Sequence, residues 1–67
     1  MEIRDMISGV IVHCRNRGVA LLKAAEMVKR HNSTFAYAHR GIHYPRDAYT
    51  IEMDNVIYIY SRSKEYG

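Results

Sequence analysis

A chain of 67 residues, 48% hydrophobic and 25% charged, has the composition of an ordered globular domain, but at this size it buries only about 60% of its unfolded surface. Its single cysteine, Cys14, excludes an intrachain disulfide and points to a reducing compartment, and no apolar run approaches the ~20 residues of a membrane span. The formal net charge is only +3, yet seven Lys and Arg residues between His13 and Arg46 face one acid, Glu26, so this segment carries +6 between weakly acidic ends.

All four histidines also fall in that basic block, which attracts polyanions if it folds onto one surface. The opening MEIRD lacks the basic-then-apolar layout of a signal peptide. The expectation is therefore one cytoplasmic domain over residues 1–67, without membrane association. A small core gains most by association, which favours a homodimer.

Residues 2–15 read as a helix. Ile3, Met6, Ile7, Val10, Ile11 and Cys14 follow the alternating three- and four-residue spacing of one helix face. Gly9 opposes this by about 1 kcal/mol, and a strand over 7–14 competes, since Val10-Ile11-Val12 is strand-like. Asn16-Arg17-Gly18 then reads as a helix stop, because Asn and Gly accept the left-handed conformation that ends helices.

A second helix is predicted over 19–31, with Leu21, Leu22, Ala25 and Val28 as its apolar stripe and Lys23, Glu26 and Arg30 on the wet side. Asn32-Ser33 ends it. The segment TFAYAH, 34–39, reads as a short strand. Ile42-His43-Tyr44 is a second short extended piece, which Pro45 ends or restricts to an edge. Residues 48–61 form the clearest element, a β-hairpin with Asp54-Asn55 at the turn. Its register pairs Met53 with Val56, Ile51 with Tyr58 and Tyr49 with Tyr60. These six are the larger and greasier set, so they are assigned to the core; Ala48, Thr50, Glu52, Ile57, Ile59 and Ser61 lie on the other face. The tail 62–67 is polar and expected to fray.

The predicted fold is α+β: two N-terminal helices, about 2–15 and 19–31, on a small antiparallel sheet of about 34–39, 48–53 and 56–61. One sheet face is left for water, a partner subunit or a ligand.

No catalytic motif stands out. The stretch 35–46 interleaves Phe35, Tyr37 and Tyr44 with His39, Arg40, His43 and Arg46. Aromatic faces stack bases and nearby cations hold phosphates in many single-strand binders. The bland alternative is a tyrosine-filled core with a solvated cationic rim. A helix-turn-helix reading, with the second helix in a DNA groove, competes for the same charge but lacks a third helix.

His39 and His43 are four apart, but Gly41 and Pro45 disfavour a helix there, and no Cys-x-x-Cys accompanies them, so neither a metal nor another cofactor is expected. The same histidines with Asp47 or Tyr44 supply acid–base residue types without a defined geometry. The expectation is a non-catalytic, basic nucleic-acid-binding regulator. Arg15, Arg17, Arg40 and Arg46 contact phosphate, Lys29 and Arg30 extend the patch, and Tyr37 and Tyr44 stack. The competing class is a protein-interaction module, an inhibitor or adaptor that docks on an acidic protein partner.

Overall fold

The computed structural model describes residues 1–38 and 46–63. Five elements run in order: β1 (Glu2–Asp5), β2 (Ile11–His13), α1 (Arg17–Ala38), β3 (Arg46–Met53) and β4 (Val56–Ser63). The class is α+β, with one helix in place of the two expected N-terminal helices. The sheet has four strands in the order β2-β1-β4-β3. β1 is antiparallel to β2 and parallel to β4, and β3 is antiparallel to β4, so the sheet is mixed.

The expected first helix is a β-hairpin. Its apolar spacing fits a helix face equally well, but the turn chemistry prevails. Asp5 accepts hydrogen bonds at Oδ1 from the amides of Ile7 (2.9 Å) and Ser8 (3.1 Å), an Asx-type turn. Gly9 has φ +81°, a left-handed conformation that glycine adopts without strain. The Gly9 amide donates to the Asp5 carbonyl and the Asp5 amide to the Val10 carbonyl, both at 2.8 Å, which closes the turn. The glycine counted as a cost to a helix is thus what the hairpin needs.

Asn16-Arg17-Gly18 starts a helix instead of ending one. The Asn16 side-chain oxygen accepts from the Val19 amide at 2.9 Å, an N-cap on the third helical residue. At the other end, α1 runs on through 34–38, where a strand was expected. Nothing between His31 and Ala38 breaks a helix, and the Thr34 hydroxyl folds back onto the Arg30 carbonyl at 3.0 Å. Asn32 does not stop the helix. Its side-chain oxygen accepts from the Ala48 amide at 2.7 Å and ties α1 to β3.

The β3–β4 register is as the turn chemistry dictates: Met53 opposite Val56, Ile51 opposite Tyr58, Tyr49 opposite Tyr60. Asp54 and Asn55 have φ of 53° and 62°, the positive pair of a two-residue hairpin turn. β4 continues through Arg62 and Ser63.

The face assignment is reversed. The core is Ile3, Ile57 and Ile59 under Ala20 and Ala24 of α1, with Ala48 also buried. Met27, Val28 and Val12 pack around it. Two alanines one turn apart let the helix axis lie close to the sheet, and that narrow gap admits isoleucine but not tyrosine. The buried side of α1 is accordingly rotated from the expected stripe, leaving Leu22 72% exposed. No described helix is long and apolar enough to cross a membrane.

Candidate binding face and the Asp5–His31 cleft

Because α1 lies on one side of the sheet, no described element covers the other. Alternation places on that open face Glu2 and Arg4 of β1, Ile11 and His13 of β2, Asp47, Tyr49, Ile51 and Met53 of β3, and Val56, Tyr58, Tyr60 and Arg62 of β4. Ile11, Ile51 and Met53 are exposed.

Three tyrosines form a continuous ladder across β3 and β4. Tyr60 is central: its ring lies 6.1 Å from that of Tyr49 and 6.0 Å from that of Tyr58, separations at which aromatic pairs attract. A guanidinium sits over each end of the ladder, Arg62 at 5.2 Å from the Tyr49 ring and Arg4 at 6.0 Å from the Tyr58 ring. Arg4 also donates to Glu2 at 3.0 Å. Asp47 lies opposite Arg62 in the register, so on this face two acids balance two arginines.

The residues expected to bind phosphate are dispersed. Arg15 is exposed in the loop that leads into α1. Arg17 is engaged by Glu52 through Nε at 3.1 and 3.2 Å and Nη2 at 3.0 Å. Those hydrogen bonds, with the attraction between the two charges, hold the Glu52 carboxyl below and the Arg17 guanidinium above their ordinary values. Lys29 and Arg30 are exposed on opposite flanks of α1, one beside β3 and the other beside the β1–β2 turn. Arg46 lies on the helix side of the sheet, donating to the Ser61 hydroxyl at 3.1 Å with its guanidinium 6.0 Å from the Phe35 ring. Tyr37 is in the last turn of α1. Arg40 and Tyr44 lie outside the described residues, as do His39 and His43.

The stacking aromatics expected at 35–46 are not the aromatic surface of the described fold, which is Tyr49, Tyr58 and Tyr60. The signal was present in the correct hairpin register and was lost when that face was assigned to the core.

One titratable pair is built into the fold. Asp5 is 3% exposed, and its Oδ2 lies 2.6 Å from Nε2 of His31 on α1. Burial pushes the Asp5 carboxyl up, but the hydrogen bonds from His31, Ser8 and Ile7 together outweigh it and leave the group below its ordinary value. His31 stacks on Phe35 with ring centres 6.1 Å apart, which fixes its plane. Among the described residues, no three His, Cys, Asp or Glu side chains gather as metal ligands.

No protein-family model matches this chain, and neither a curated protein nor a solved structure does.

Proposed function

We propose that the chain binds single-stranded nucleic acid on the open sheet face. The observation that carries this reading is the ladder Tyr58–Tyr60–Tyr49 with a guanidinium at each end. Bases stack on such rings whatever their identity, and a flat row of three suits a splayed single strand better than a closed duplex. Arg4 and Arg62 meet the flanking phosphates. Lys29 and Arg30, on the helix layer, add to the field that draws a polyanion in but do not reach the bases. The role is binding without catalysis.

The test is fluorescence anisotropy with labelled single-stranded RNA, single-stranded DNA and duplex DNA, at low and near-physiological salt. Both single strands bind more tightly than the duplex. Two phosphate contacts give a log–log salt slope of roughly −1.4 for a single strand. Tyr60→Ala removes the ring that joins the ladder and weakens binding by about 1–3 kcal/mol for the base it stacks. Equal binding of all three probes, or full affinity in Tyr60→Ala, refutes the assignment.

A second reading has its own support. The face is charge-balanced and carries exposed Ile11, Ile51 and Met53, and Tyr, Arg and Met are favoured in protein interfaces. Docking of a protein partner there predicts no binding of any nucleic-acid probe and an association largely insensitive to salt.

A further inference from the structure

On the opposite layer from the tyrosine ladder, the β1–β2 turn and one flank of α1 enclose a cleft of about 380 Å³. We propose that this cleft is a binding site for a small amphipathic anion, a hydrocarbon body with one carboxylate or phosphate head. The proposal does not rest on the nucleic-acid reading: it uses none of the open-face residues and shares with that reading only Arg30, which lies off the face.

The chemistry of the lining sets the ligand class. Val12 and Met27 give the cleft apolar walls, and Lys23 and Arg30 stand at its rim. Lys23, Met27, Arg30 and His31 succeed one another at four, three and one residues along α1, so a single helix face presents them. Both cations are exposed, and neither has a carboxylate partner among the described residues. The carboxylate in the wall, Asp5, is occupied by the two turn amides and His31. It cannot turn to Lys23 or Arg30 without giving up the turn that it holds. The rim therefore keeps two uncommitted positive charges over an apolar interior.

A polyanion such as a nucleic-acid strand has no use for those walls, and a neutral lipid none for the rim. The volume lies near the low end of the ~300–1,000 Å³ range of small-molecule sites, which limits the ligand to a short body. The groove on the other flank, beside β3, has Lys29 and, among the described residues, no second cation, and serves as the internal control.

The test is a ¹H–¹⁵N NMR titration of the whole chain with octanoate, octyl phosphate and, as the uncharged analogue, octanol. Saturable shifts centred on the amides of Ser8, Val12, Met27 and His31 are expected with the anions, and the tighter of the two identifies the head group. Octanol and the double variant Lys23→Glu/Arg30→Glu each lower affinity by about tenfold or more, the effect of removing one or two charge-assisted contacts. Lys29→Glu reverses one charge on the other flank, half the change in the double variant, and leaves affinity within about twofold. No saturable binding of either anion overturns the proposal. So does an equal loss in Lys29→Glu, octanol binding as tightly as octanoate, or shifts centred on Tyr58 and Tyr60.

Discussion

Truncating Asp5 to alanine removes three hydrogen bonds to one buried charge: the Ile7 and Ser8 amides at 2.9 and 3.1 Å and His31 Nε2 at 2.6 Å. Hydrogen bonds to a charged group contribute about 1.5–3 kcal/mol each when lost singly. They are not additive here, because Ser8 is exposed and Ile7 half-buried, so water reaches both amides once the carboxylate is gone. The expected destabilisation is about 3 kcal/mol, a fall in Tm of roughly 12–24 °C for a domain of this size. Urea unfolding followed by far-UV circular dichroism measures it.

The pH dependence supplies a second arm. Folding lowers the Asp5 pKa, so the parent's extra stability is complete above the ordinary value of 3.8 and is lost as pH falls through the lower folded value. The groups facing the carboxylate are His31 in contact and Lys23 and Arg30 across the cleft; the hydrogen bonds from His31, Ser8 and Ile7 are what favour its ionised form. Asp5→Ala lacks that acid-side loss. A variant within about 0.5 kcal/mol of the parent, the range of an ordinary surface substitution, or an unchanged acid limb, refutes the view that this carboxylate anchors the turn to the helix.

Three further outcomes test the local structure. Asn16→Ala removes the cap on the Val19 amide and costs about 1 kcal/mol in a urea melt, with the spectrum of the folded state retained. Gly9→Ala meets no atom within 4 Å of the added Cβ, so its cost is purely that of a positive φ, about 1–2 kcal/mol by thermal melt; a neutral result means that the turn does not need a left-handed residue. Asn55→Gly places glycine at the second positive-φ position of the β3–β4 turn and raises stability by up to about 1 kcal/mol, seen as a higher urea midpoint at unchanged slope.

What the sequence revealed depended on whether one residue type had one meaning. Asp54-Asn55 between β-branched and aromatic runs has one meaning, a hairpin turn. Asp-Asn is a weaker signal than Asn-Gly and leaves a longer loop open, but the two-residue turn is the one that forms, and the whole β3–β4 register derives from it. Asn16 has two meanings, because asparagine caps a helix start through its side chain and a helix end through its backbone. The spacing Ile3, Met6, Ile7, Val10, Ile11, Cys14 fits a helical face, yet it also serves two short strands that bury Ile3, pack the half-buried Val12 beside it and leave Met6 and Val10 in the turn. Gly9 and Val10-Ile11-Val12 were the signs of the second solution. The core face was misassigned on side-chain size, when the deciding residues were Ala20 and Ala24 on the helix. The candidate face shared that fate, since Tyr49, Tyr58 and Tyr60 were correctly registered and then assigned to the core. The cleft around Asp5 and His31 is not legible in the sequence, because one of its walls is the β1–β2 turn, whose apolar spacing also fits a helix.

The two central strands of the sheet, β1 and β4, come from opposite ends of the described chain and lie side by side, with Glu2 opposite Val56. Each hairpin closes locally and quickly, but the seam between them requires the longest loop closure among the described strand pairs. During synthesis β1 waits with one edge unpaired until β4 has emerged, and Ile3 has no Ile57 to pack against for all of that time. The interval is a window for mispairing with a neighbouring chain. A late-folding sheet centre therefore makes the yield of this protein a matter of timing as much as of stability.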